Sequence, residues 1–135
     1  MYTNFDVKDY YFKGDGVSGT ATKNTTTNID YVVSESGLFI SGAEFIYKDS
    51  TWGDYVECQI IDVDNVLGYG ANTVLTQYVK KWYLDPSTTR LVLESPYAGE
   101  LPNGVYVRVK YHSVGTQTDP SVMINYFLHD IKEPQ

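Results

Sequence analysis

From Gly104 to His112 the chain reads Gly-Val-Tyr-Val-Arg-Val-Lys-Tyr-His, alternating apolar and polar positions. Val105, Val107, Val109 and Tyr111 fall on one side of an extended backbone, and Tyr106, Arg108, Lys110 and His112 on the other. A period of two marks a strand buried on one face and wet on the other. Pro102-Asn103-Gly104 supplies the turn that launches it. The same alternation recurs at Ile29, Tyr31 and Val33, and across residues 38–47, 54–63, 74–84 and Arg90–Glu94. Residues 105–113 and 121–130 read as a closing hairpin-like pair. Gly42, in mid-strand, predicts a bulge or a close backbone approach. In 54–63, Val56, Cys58 and Ile60 share one face while Ile61 and Val63 take the other, which predicts a bulge or burial on both faces near Ile60.

The pattern amounts to about seven or eight strands with no helical stripe, so the chain is all-β. An antiparallel β-sandwich follows, and uneven connections favour a jelly-roll or Greek-key type over an up-and-down barrel. Residues 1–19, with Tyr10-Tyr11-Phe12 ahead of Gly14, Gly16 and Gly19, read as an extended N-terminal arm. Residues 20–135 read as a single sandwich domain.

Composition narrows the partners. A length of 135 residues suits one domain, and the single Cys58 rules out an internal disulfide. A net charge of −7, with Lys80-Lys81 as the densest basic pair, argues against nucleic acid, whose phosphates need clustered Lys and Arg. Neither a membrane-length apolar run nor a signal-peptide pattern in Met1-Tyr2-Thr3-Asn4-Phe5-Asp6 is present, so a soluble protein made in the cytoplasm, or one exported or released by a route that needs no cleaved signal, is expected. Thirteen tyrosines offer stiff, amphipathic contact area for sugars or protein interfaces, although tyrosine is also simply a good strand former.

Candidate chemistry is sparse. Asp62 and Asp64 would project to one side of a continuing strand, a spacing of hard oxygen ligands that suits calcium; the plainer reading is turn-capping aspartates. Cys58 lies within an apolar stripe, where a thiol is inert, and two histidines with one cysteine cannot fill a zinc site unaided. No catalytic motif is present, and no cofactor is expected. Trp52, Tyr69 and Tyr97 are the candidate ligand-stacking residues, while Tyr10, Tyr11 and Phe12 are the candidate interface anchors.

Trp52-Gly53-Asp54-Tyr55-Val56-Glu57-Cys58-Gln59-Ile60-Ile61-Asp62-Val63-Asp64, Ser95-Pro96-Tyr97-Ala98-Gly99, the 102–111 stretch and Asn125-Tyr126-Phe127-Leu128-His129 together resemble small all-β virion proteins of tailed bacteriophages. The resemblance spans roughly residues 37–131 and rests on strand-and-turn patterns. It implies a non-enzymatic structural part of the particle, in capsid decoration, a head fibre or a tail attachment. It also implies other virion proteins as partners and a homo-oligomer, with a trimer favoured. The alternative is a carbohydrate-binding sandwich module, calcium-assisted, that attaches to a host glycan.

Overall fold

The computed structural model describes residues 10–34, 38–75, 81–94 and 100–131; the side chains of 10–15, 38 and 129–131 fall outside that description. The chain forms strands β1 (Tyr10–Thr20), β2 (Thr26–Val32), β3 (Leu38–Lys48), β4 (Tyr55–Asp62), β5 (Thr73–Val74), β6 (Lys81–Tyr83), β7 (Arg90–Glu94), β8 (Tyr106–His112) and β9 (Ser121–Ile131). They make two sheets, β1-β9-β3-β7 and β2-β8-β4-β5, with β6 also paired to β4. Every pairing is antiparallel. Consecutive strands mostly alternate between sheets, and β5 and β6 together fill the fourth position of the second sheet. That order is a jelly roll. Among the described residues no helix is long and apolar enough to cross a membrane.

The inward faces meet as the alternation requires. Phe45, Ile124, Tyr126 and Leu128 of the first sheet pack on Val56, Cys58, Ile60, Val107, Val109 and Tyr111 of the second. In β8 the burial pattern alternates along the whole strand, with Val107, Val109 and Tyr111 fully buried.

Several expectations change in detail. The hairpin of 105–113 with 121–130 does not form: β8 pairs with β2 and β4, whereas β9 pairs with β1 and β3 in the opposite sheet. Connection 113–120 therefore crosses between sheets. Alternation states which face a strand buries and is silent about its neighbour. The long strand read at 74–84 is instead β5 and β6, with 76–80 outside the described residues. From Tyr10 onward the stretch read as an arm is an edge strand of the first sheet, in register with β9 from Tyr10 opposite Ile131 to Thr20 opposite Ser121.

Two local readings hold. The β3–β9 register shifts between Ile40 and Gly42, and Gly42 has φ +154°. A Cβ there would sit 2.6 Å from the Leu93 carbonyl oxygen, so the bulge needs glycine. In β4, Cys58 through Asp62 are all buried while the β4–β8 register runs unbroken, so two-face burial, not a bulge, explains the apolar run.

Candidate functional site

The jelly roll gathers its connections at two ends, and a buried aspartate organises each. Residues 21–25, 49–54, 84–89 and 113–120 meet at one end. There Ala21 N–H donates to Pro120 O at 2.8 Å, Lys23 N–H to Asp119 Oδ1 at 2.9 Å and Leu84 N–H to Asp54 O at 2.9 Å. Asp54 lies just before β4 and is fully buried. Its Oδ2 accepts from Thr51 N–H at 3.0 Å and from the Tyr111 hydroxyl at 2.8 Å, and its Oδ1 accepts from Val114 N–H at 2.8 Å. Burial and this carboxylate hold the Tyr111 hydroxyl far above its ordinary pKa. A carboxylate can be buried only when donors replace its water, and three do so here.

That knot fixes the two walls of a polar cleft of about 510 Å³, lined by residues 49–51 on one side and 114–118 on the other. The walls touch at Gly115, where a Cβ would lie 2.4 Å from Thr51 Oγ1, so only glycine permits the approach. The cleft is framed by hydroxyls, an amide and one carboxylate, that of Asp49. Trp52 follows the wall residue Thr51 and is 69% exposed.

At the opposite end Asp62 closes β4. It is fully buried, with Oδ1 accepting Val66 N–H at 2.8 Å and Oδ2 accepting Leu67 N–H at 3.0 Å. Asp64 is exposed, and the Tyr106 hydroxyl approaches its Oδ2 at 3.4 Å. The two aspartates of the calcium reading thus have different surroundings, and Asp62 performs turn capping. Among the described residues no three His, Cys, Asp or Glu side chains gather as a metal site.

The stacking trio is not brought together. Trp52 stands at the Asp54 end and Tyr69, 77% exposed, in the 63–72 connection at the Asp62 end. The length of β4 separates these ends by about 25 Å. Tyr97 lies outside the described residues. Tyr10, Tyr11 and Phe12 have described backbone only, opposite Ile131, Asp130 and His129 of the same chain.

The structure adds a row that alternation does not reveal. On the outer face of the second sheet, Tyr55 stacks on His112 at 4.2 Å between centroids and lies 5.3 Å from Tyr83. His112 Nε2 is 3.2 Å from Glu57 Oε1, and Lys81 Nζ lies 4.8 Å from the Tyr55 centroid. Only the β8–β4–β6 register aligns these residues. The same face carries a bidentate pair from Arg108 to Asp30, at 2.8 and 2.9 Å, which raises the Arg108 pKa. Cys58 is buried, and burial pushes its thiol up to about 12.

No family model and no curated protein sequence matches the chain. Solved structures give partial likenesses. A structure of infectious bursal disease virus, Gx strain, is 14% identical with a TM-score of 0.34, over 90% of this chain and 32% of that one. The VP2 subviral particle of infectious bursal disease virus is 13% identical with a TM-score of 0.28, over 90% and 37%. Hydroquinone 1,2-dioxygenase from Sphingomonas sp. TTNP3 is 15% identical with a TM-score of 0.20, over 89% and 59%. The chain spans about a third of the length of the two viral chains. At these TM-scores the likenesses say nothing about activity or partners.

Proposed function

We propose that the protein is a non-enzymatic structural component of a virion that works through protein–protein assembly. The strand order carries this reading: β1-β9-β3-β7 over β2-β8-β4-β5 is the jelly roll, an architecture used by viral capsid domains. Among the described residues, the buried carboxylates and the thiol serve the fold. Asp54 accepts three hydrogen bonds and Asp62 two, and the Cys58 thiol is buried and protonated. The resemblance to tailed-phage virion proteins makes capsid decoration, or a tail or fibre attachment, the specific role.

An assembly protein needs a surface to assemble with. On the outer face of the first sheet, Met123 (45% exposed) pairs with Ile46 beside a shallow apolar depression of about 210 Å³ along β9 and β3, and Val92 (55% exposed) stands one pair further along, opposite Glu44. An outer antiparallel face is ordinarily polar, so this strip is the assembly surface of the proposal. Light scattering coupled to size exclusion tests it. A discrete oligomer, a trimer being the expected count, that Met123→Asp dissociates is the supporting result. A wild-type monomer from micromolar to millimolar concentration would count against self-assembly.

A further inference from the structure

The geometry points to a binding site for a neutral, hydroxyl-rich saccharide in the cleft between residues 49–51 and 114–118, flanked by Trp52. This inference stands apart from the assembly reading, since it uses a loop end rather than a sheet face.

The argument begins with volume and rigidity. A cleft of about 510 Å³ falls within the range of small-molecule sites and accommodates one or two sugar rings. Its walls are set before any ligand arrives. Asp54 holds Thr51 through one carboxylate oxygen and Val114 through the other, and Gly115 lets the walls meet. Loops fixed in this way lose little conformational entropy on binding.

The lining sets the ligand class. Ser50, Thr116 and Thr118 present hydroxyls and Gln117 an amide, groups that both donate and accept, as sugar hydroxyls require. Asp49 is the lining's one charged side chain; Lys48 and Lys23, the nearest basic residues along these loops, are not among the lining. With a net charge of −7 on the whole chain and no cation in the lining, the cleft favours a neutral ligand over an anionic one. The proposed ligands are therefore neutral glycans, not sialylated or sulfated ones. Trp52 directly follows the wall residue Thr51 and is 69% exposed, and we assign it as the ring against which the apolar face of a pyranose packs.

The test uses the full chain on an array carrying neutral glucose-, galactose-, mannose- and N-acetylhexosamine-terminated glycans beside sialylated and sulfated ones. Amide NMR then maps the bound neutral sugar as its methyl glycoside. Expected are neutral-only binding, shift changes at residues 49–53 and 114–118, and at least a tenfold loss of affinity in both Gln117→Ala and Trp52→Ala. Both residues are exposed and outside the Asp54 knot, and native amide spectra would verify the fold of each variant. Tyr69→Ala, at the far end, should bind as wild type. No binding to any neutral glycan, a preference for acidic glycans, or unchanged affinity in Gln117→Ala would overturn the proposal.

Discussion

Asp54 and Asp62 bracket one strand and are equally buried, yet they should not be equally costly to lose. Asp54→Ala removes three hydrogen bonds and strands the buried Tyr111 hydroxyl, which alone costs about 1–3 kcal/mol, while the N–H groups of Thr51 and Val114, both exposed residues, regain water. Chemical denaturation of Asp54→Ala should show a loss of about 3 kcal/mol or more. Asp62 serves Val66 and Leu67, both exposed, so water replaces the lost acceptor. Asp62→Ala should cost about 1 kcal/mol. Equal losses would show that burial alone, not the number and seclusion of the donors, sets the penalty.

Cys58 makes a different statement about the same strand. Its thiol rises from an ordinary 9.0 to about 12 because burial disfavours the thiolate. Above pH 9 the unfolded chain releases this proton while the native protein keeps it, so stability falls as pH rises toward 12. Between pH 9 and 10, below the ordinary tyrosine value of 10.0, Cys58→Ala should flatten that decline in denaturation midpoints. In the native protein at neutral pH the thiol should resist Ellman's reagent and react only as denaturant opens the core.

Among elements, β3 is the one whose sequence was most fully legible. The strand read at 38–47 ends one residue short of the observed Lys48, and the irregularity at Gly42 follows from the same reading. Gly42→Ala forces a Cβ against the Leu93 carbonyl at a backbone angle that favours glycine. A loss of about 2 kcal/mol is expected, with faster amide exchange in β7 than in β8. Uniform exchange would mean the bulge is absorbed without loosening that edge. The partners of β8 and β9 were not legible, because residues 113–120 are long enough either to turn back or to cross over. The candidate site was legible only in part. Trp52 announces itself as a loop aromatic, but Ser50, Thr116, Gln117 and Thr118 form no motif. They become a wall only once Asp54 joins loops that lie 60 positions apart in sequence. The Tyr55–His112–Tyr83 row was hidden for the same reason, since cross-strand register is a property of the assembled sheet.

At the scale of the molecule, the two sheets leave unlike outer faces. The second carries the Arg108–Asp30 pair and the aromatic row, and the first carries the Met123–Val92 strip. If assembly uses the first sheet, Met123→Asp weakens the oligomer while Tyr83→Ser, on the other face, leaves its mass unchanged; light scattering on both variants separates the faces.

The strand order also sets a timetable. As the chain leaves the ribosome, β2 waits for β8, while β1 waits for β9 and β3 for its main neighbour. Before residue 106 emerges, the ladders available among the described residues are β4 with β5 or β6, and β3 with β7. Tyr10 cannot meet its partner Ile131 until all of the chain between them has been made. Such non-local pairing makes folding slow, with strand edges open in the interval. A chain ending at residue 120 should lack a cooperative unfolding transition altogether, so the last eleven-residue strand acts as the release step for the first sheet.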